Sequence, residues 1–299
     1  MIGTCFYVGQ GFGNQLWTYS VTRCAAIRNN YRFAIINSGK FKGKDFLTLN
    51  ADIEISERRK KPSTKVPYGF TSVYRENQIF DTELSYDISP FDQNIAFPAD
   101  GTLLEGPMQS ENYILEYKDQ ISGWFKVLGT EFDGCVINLR GGEYKSNPDL
   151  FLKKDYYQKA IEKILEFDSK CKFLIVTDDP KLAHEFFPKI AIQSSGGVRI
   201  YLRKIYISPK SKLIGEDFSW LQNSRYLILS NSSFSWWGAW TNTKVEMVIA
   251  PKYWARHNIS VGRWSQGDSL TRGWLWLDRR GELFTHQECA HEISLLPRI

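Results

Sequence analysis

Several short polar segments of this chain combine residue types that bind or move charge. The densest is Ser230-Asn231-Ser232-Ser233-Phe234-Ser235-Trp236-Trp237-Gly238-Ala239-Trp240, directly after the apolar run Tyr226-Leu227-Ile228-Leu229. An apolar run followed by such a turn predicts a buried strand handing over to a helix. The first N–H groups of a helix are unpaired and lie in a partial positive field. Ser232, Ser233 and Ser235 add hydroxyl donors to them. Together they suit a phosphate without a Gly-rich P-loop. An ordinary helix cap, with the tryptophans as core packing, is the competing reading of the same residues.

Three more polar segments follow apolar runs. Arg140-Gly141-Gly142-Glu143-Tyr144 follows residues 135–139, Asp178-Asp179 follows 173–177, and Gly9-Gln10-Gly11-Phe12-Gly13-Asn14 follows 2–8. A guanidinium flanked by glycines can approach a diphosphate closely and bind it through two parallel hydrogen bonds, so Arg140 is the best phosphate ligand of the set. Glu143 has the chemistry of a general base or of a hydroxyl-orienting acid, and equally of a solvated loop residue. Asp178-Asp179 lacks a third metal ligand at useful spacing, and a structural or sugar-hydroxyl role fits it better. The Gly9–Gly13 turn falls short of the dinucleotide fingerprint, because the third glycine of G-x-G-x-x-G is missing. The four histidines lie away from all these segments, which argues against a His-based triad or metal site.

These segments need a frame that brings strand ends together. Residues 2–8, a helix over 15–28 and a strand over 31–36 make a β-α-β start. Residues 38–100 read as irregular and turn-rich, 103–105 as a strand, and 111–128 as containing a helix. From residue 134 the alternation is regular. Strands are predicted at 135–139, 173–177, 191–193, 226–229 and 246–250. Helices are predicted at 153–168, 181–187 (stopped by Pro188), 215–223 and 233–241. Repeated β-α units predict α/β architecture with parallel, Rossmann-like sheets, whose ligands sit beyond the carboxyl ends of the strands. The expected division is residues 1–128 and 129–299, with the boundary within 125–133.

The chain has 299 residues, 42% hydrophobic and 24% charged, as in an ordinary folded protein, with room for one large or two ordinary domains. No apolar run approaches the roughly 18 residues of a membrane span. The first residues lack a basic n-region, so no signal peptide is expected and a cytoplasmic location is. The five cysteines are widely spaced without a C-x-x-C, which disfavours disulfide and zinc frameworks. A net charge of +5 suits a phosphate-bearing substrate or an anionic membrane surface. The basic run Arg58-Arg59-Lys60-Lys61 has no nucleic-acid motif beside it, so no nucleic-acid partner is expected. Most of the ten tryptophans are expected in the core.

With those residues in place, the chain resembles the family 11 glycosyltransferases, the α-1,2-fucosyltransferases. Gly11-Phe12-Gly13-Asn14-Gln15 with Tyr19 is similar to the family's G-x-G-N-Q…Y segment. Gly106-Pro107-Met108-Gln109-Ser110-Glu111-Asn112-Tyr113 is similar to its G-Y-F-Q-S-x-x-Y, and Val176-Thr177-Asp178-Asp179 to its S-D-D. Asn231 to Ala239 resembles its N-S-S-F-S-W-W-G-A block nearly letter for letter, and Ala250-Pro251-Lys252-Tyr253-Trp254 its P-x-x-W. The family's H-x-R-R-G-D-Y departs to Asn138-Leu139-Arg140-Gly141-Gly142-Glu143-Tyr144, with Gly141 at the second arginine.

The resemblance implies a GT-B-type fold of two Rossmann-like domains facing across a cleft. It implies an inverting transfer of L-fucose from GDP-L-fucose to the 2-hydroxyl of a galactose-type acceptor in a surface or capsular glycan. No metal or other cofactor is required; the GDP-sugar is a co-substrate. Arg140 inherits the contact to the donor β-phosphate, with Glu143 as the candidate base. Donor-binding residues by the resemblance are Gly11, Gly13, Asn14, Gln15, Asn138, Asp178, Asp217, Asn231, Ser232, Ser233 and Phe234. Asp217 pairs with guanine N1 and N2, for which a carboxylate is the natural acceptor. Asn138 hydrogen-bonds guanine or ribose. The implied partners are the donor and a glycan acceptor, lipid-linked precursors included, with at most peripheral contact at the inner membrane face. The altered arginine motif leaves two alternatives open, a different nucleotide-sugar donor and a carbohydrate-binding protein that has lost catalysis.

Overall fold

The computed structural model describes residues 1–56, 69–81, 86–129, 131–187, 200–202, 212–260, 262–264 and 269–295. The chain divides into two compact units, one built on Met1–Phe125 and the other on Lys126–Ser265 with Leu270–Ile299. Each holds its own parallel sheet, so the class is α/β.

The first unit contains β1 (Ile2–Cys5), α1 (Phe12–Arg28), β2 (Phe33–Ile36), β3 (Ile53–Ile55), β4 (Ser72–Arg75), β5 (Ile79–Asp81), β6 (Tyr86–Ile88), α2 (Gln93–Ala96), β7 (Thr102–Glu105) and α3 (Lys118–Trp124). Its five-stranded sheet runs β3-β2-β1-β7-β4 with every pairing parallel. β1 and β2 are buried on both faces, as central strands of a parallel sheet covered on both sides are. The chain runs outward from β1 to β3 and returns through β4 to β7 on the other side of β1. The switch point therefore lies between β1 and β7.

The second unit contains β8 (Phe132–Leu139), α4 (Lys154–Phe167), β9 (Phe173–Thr177), α5 (Pro180–Phe186), β10 (Ile200–Leu202), α6 (Lys212–Gln222), β11 (Ser224–Ile228), α7 (Ser233–Trp240), β12 (Met247–Pro251), β13 (Leu275–Leu277), β14 (Leu283–Phe284) and α8 (His286–Leu295). The order is β10-β9-β8-β11-β12-β13-β14, parallel except for β14. α4 lays Tyr156, Tyr157, Ala160, Ile161 and Ile164 on the sheet at helical spacing, against Ile137, Phe173, Ile175 and Ile228. Trp237 and Trp276 are fully buried, and Trp236 stacks on Trp240 at 5.3 Å, so these tryptophans form core.

Several sequence expectations need correction. Residues 38–100 are not irregular throughout; they hold β3 to β6 and α2. Residues 111–128 begin with two 3-10 turns, Glu111–Tyr113 and Leu115–Tyr117, before α3. The sequence pattern does not predict β10, β13, β14 or α8. The strand expected at 191–193, Pro188 and the basic run 58–61 lie outside the described residues.

Candidate functional site

β9, β8 and β11 are neighbours in the second sheet and all parallel, so their polar carboxyl ends share one edge with Arg140 in the middle. The Arg140 guanidinium forms an ion pair with Asp178 through Nη1 and reaches Glu143 Oε1 at 3.2 Å through Nη2. Its carbon lies 5.3 Å over the Tyr144 ring. Gly141 N–H donates to Asp178 Oδ1 at 2.8 Å. Next to it, Lys145 Nζ pairs with Asp179 at 2.5 Å. Asp179 is the N-cap of α5; it accepts from Leu182 N–H at 3.0 Å, and Pro180 takes the first helical position. Burial pushes the Asp179 carboxyl upward, but the Lys145 and Leu182 hydrogen bonds together outweigh it and hold it below its ordinary value. The Tyr144 hydroxyl, pushed up by burial, donates to the Asn231 carbonyl at 3.4 Å and joins this turn to the next strand end.

The serine turn is held from below. Tyr156 OH donates to the Leu229 carbonyl at 2.7 Å, Ser230 Oγ donates to Asn138 Oδ1, and Ser235 Oγ donates to the Ser232 carbonyl at 3.0 Å. Ser232 stands at the N-cap of α7 in extended conformation (φ −113°, ψ 130°), and its side chain makes no capping bond. An ordinary cap would direct that hydroxyl onto the helix's own N–H groups. Asn231 is tied to the Leu150 carbonyl at 2.9 Å through Nδ2, while its buried Oδ1 has no partner among the described residues. Ser233 and Phe234 are half-buried on the first turn of α7. Phe234 packs on Phe218 of α6 at 5.8 Å, and Asp217, also buried, precedes Phe218. A Cβ on Gly238 would lie 2.4 Å from Leu221 Cβ, so the glycine lets α7 close onto α6.

Two of the residues expected to bind the donor in this unit make bonds within the fold. Asn138 is 5% exposed and its carbonyl oxygen accepts from Ser230, a bond that links β8 to β11. Asp178 takes the structural role that the sequence also allowed; its two oxygens hold Arg140 and the Gly141 amide. Glu143 is the exposed acid of the turn, with 77% of its side-chain surface open.

In the first unit, Gly9 has a φ of +93°, which favours glycine, and Gly11 forms the N-cap of α1. A Cβ on either would meet nothing within 4 Å. Gly13 is buried in the first helical turn. Asn14 Oδ1 accepts from Gln109 Nε2 at 3.1 Å, which brings the Gly-Asn-Gln and Gln-Ser segments together at the β1/β7 switch point. Gln15 is fully buried, donates to the Lys40 carbonyl at 2.9 Å and accepts from Lys42 N–H at 2.9 Å, so it fixes a loop.

Sequence reasoning missed Glu76. This buried carboxylate beyond β4 accepts from Tyr113 OH at 2.9 Å and from Met108 N–H at 2.7 Å. Burial and then the Glu76 charge push the Tyr113 hydroxyl well above its ordinary value. Gly106 leaves room for it, since a Cβ there would lie 2.5 Å from Glu76 Cβ. Among the described residues, no group of three His, Cys, Asp or Glu side chains is placed to hold a metal.

The parallel neighbours β8 and β11 thus bring an arginine and a hydroxyl-rich helix start to one sheet edge. No protein-family model matches it. It is similar to the alpha-1,2-colitosyltransferase of Escherichia coli, 27% identical over 167 residues, which are 50% of this chain and 54% of that protein. It is also similar to the O-antigen biosynthesis glycosyltransferase WbnK of Escherichia coli, 28% identical over 142 residues, 44% and 43% of the two chains. The chain spans about half the length of the curated relatives it matches. Its homologues are thus glycosyltransferases, at low identity. Among solved structures, the fucosyltransferase NodZ from Bradyrhizobium has a TM-score of 0.46 at 11% identity, covering 84% of this chain and 94% of that one. The E. coli heptosyltransferase WaaC with ADP has a TM-score of 0.44 at 10% identity, covering 98% and 97%.

Proposed function

We propose that this protein is an inverting, GDP-sugar-dependent glycosyltransferase of GT-B type that transfers L-fucose to the 2-hydroxyl of a galactose-type acceptor in a surface or capsular glycan. The observation that carries the reading is Arg140 on the same sheet edge as the start of α7, whose N-cap hydroxyl makes no capping bond. In this reading the diphosphate accepts hydrogen bonds from Arg140, from Ser232 and Ser233, and from the first N–H groups of α7. Asp217 serves guanine. The acceptor hydroxyl oxygen attacks the anomeric carbon as the bond from that carbon to the β-phosphate oxygen breaks. The electron pair stays on GDP and the hydroxyl proton goes to Glu143. Charge building on the leaving phosphate is stabilised by donors already in place, which is electrostatic catalysis and uses no metal.

A second donor is favoured by a specific comparison, because one relative is a colitosyltransferase. Colitose is the 3-deoxy analogue of L-fucose. A pocket that leaves the 3-hydroxyl without a partner would select it. Acceptors in this reading are glycans, free or lipid-linked. No described helix is long and apolar enough to cross a membrane.

The test is a panel of GDP-fucose, its 3-deoxy analogue, other GDP-sugars, UDP-sugars and ADP-sugars with galactosides, scored by nucleotide release with and without EDTA. Release from GDP-fucose, insensitive to EDTA, is the expected result. Release from the 3-deoxy donor alone moves the assignment to the second reading. Glycan binding without turnover on any donor sinks both.

A further inference from the structure

Arg140 meets two carboxylates of different standing. Glu143 sits three residues along on the same turn, is 77% exposed, and makes one contact at 3.2 Å. Asp178 lies at the end of the neighbouring strand, is 29% exposed, and holds the guanidinium with one oxygen and the Gly141 N–H with the other. An exposed pair is weak and exchanges readily, whereas a half-buried carboxylate fixed also by a backbone amide keeps its geometry. The turn is shaped around Asp178. Gly142 has a φ of +37°, and a Cβ there would lie 2.5 Å from Asp178 Oδ2. A guanidinium has five N–H donors, so one edge can stay on Asp178 while another turns to a ligand.

We propose that Asp178 is a positioning residue for the nucleoside-diphosphate site: it orients Arg140 and the Gly141 turn, and stays paired with Arg140 while the exchangeable Glu143 contact gives way to phosphate. The proposal rests on the reading of Arg140 as the phosphate ligand. It assigns to Asp178 a role through another side chain, not a contact with the sugar.

The test is a double-mutant cycle in GDP binding on the full chain, with Asp178→Asn, Arg140→Ala and the double variant, followed by calorimetry. Asparagine keeps an acceptor for Gly141 N–H and removes the charge that holds Arg140. Asp178→Asn weakens GDP binding about tenfold when Arg140 is present and less than twofold in the Arg140→Ala background. The same factor in both backgrounds means a general structural role and overturns the proposal, as does no effect in either. A second readout needs no ligand. The Arg140 guanidinium NMR signals are restrained in the wild-type protein and become freely rotating in Asp178→Asn; restrained signals in the variant overturn the proposal. If the wild type binds GDP but transfers no sugar, the transfer reading fails while the cycle still decides the role of Asp178. If it binds no GDP, the phosphate reading fails, and with it the ligand half of this proposal.

Discussion

Gly141 stands where the resemblance expects a second arginine, and the structure shows what a side chain there would meet. An ideal Cβ on Gly141 lies 2.5 Å from Asp179 Cβ and 2.9 Å from its Oδ2, about 0.9 Å short of ordinary contact. Asp179 has little freedom to retreat. Its amide donates to Thr177 Oγ1 at 3.0 Å, its carboxylate caps α5 at Leu182, and Lys145 holds it from the side. Gly141→Ala therefore pushes the turn away from β9. Overpacking of this kind costs roughly 1–3 kcal/mol. For a chain of this size that lowers the melting temperature by about 2–5 °C. The turn carries Arg140, and displacement of a charge-stabilising group by about 1 Å costs on the order of a hundredfold in turnover.

The assay is thermal denaturation together with nucleotide release from the preferred donor, with Gly123→Ala as the control. Gly123 lies inside α3 with nothing within 4 Å of its Cβ, so alanine there is neutral or stabilises by about 0.5–1 kcal/mol. Gly141→Ala with wild-type melting and rates within twofold would refute the steric account. A large melting loss with unchanged turnover would detach the turn from catalysis.

Other outcomes follow from the same geometry. Arg140→Ala lowers kcat/KM by about 10²–10³, the scale of a lost oxyanion donor, with melting nearly unchanged; near-normal rates remove Arg140 from the phosphate site. Glu143→Gln keeps the shape of the turn and lowers kcat by about 10²–10⁴ without raising the donor KM, and unchanged kcat excludes it as the base. His257 is buried, with Nδ1 3.2 Å from the Lys252 carbonyl, and burial pushes it from 6.5 down to about 4. The unfolded chain binds this proton first, so its contribution is complete above pH 6.5 and is lost as the pH falls to 4, about 3 kcal/mol in all. His257→Phe should flatten denaturant stability across that window, and an unchanged slope refutes it.

What was legible in the sequence follows run length and coverage. β8, β9, β11 and β12 are five to eight residues long and largely buried, so each reads as an apolar run, and the first three also as runs with a polar end. β3 and β4 are edge strands of three and four residues with open faces, too short and too polar to show a period. The polar strand ends were legible for the same reason as the strands. What the individual side chains do there was not. Gln15 and Asn138 have the chemistry of ligands, and only packing shows that Gln15 bonds to the Lys40–Lys42 loop and Asn138 to Ser230. Asp178 and Arg140 lie 38 positions apart in the chain, and their pairing follows from the β8/β9 register, in which Leu139 lies opposite Thr177.

That register also bears on the altered motif. Leu139 opposite Thr177 puts Arg140-Gly141 directly against Asp178-Asp179. Two carboxylates at the end of β9 then hold one arginine and one lysine, Arg140 and Lys145, through separate ion pairs. A second arginine at position 141 would have to displace Asp179, the cap of α5, to fit. A glycine at position 141 therefore fits the way β9 packs on the turn. In the proposed site, diphosphate charge is then met by one guanidinium and the neutral donors of the α7 start, not by a pair of arginines. Neutral donors in a partly buried site are screened little by salt, and a single cation contributes one ionic contact. GDP affinity should accordingly fall only weakly between 50 and 500 mM NaCl, and Gly141→Arg should lower it instead of raising it. A steep salt dependence, or tighter binding by Gly141→Arg, would show that Asp179 yields and that the site accepts the second cation after all.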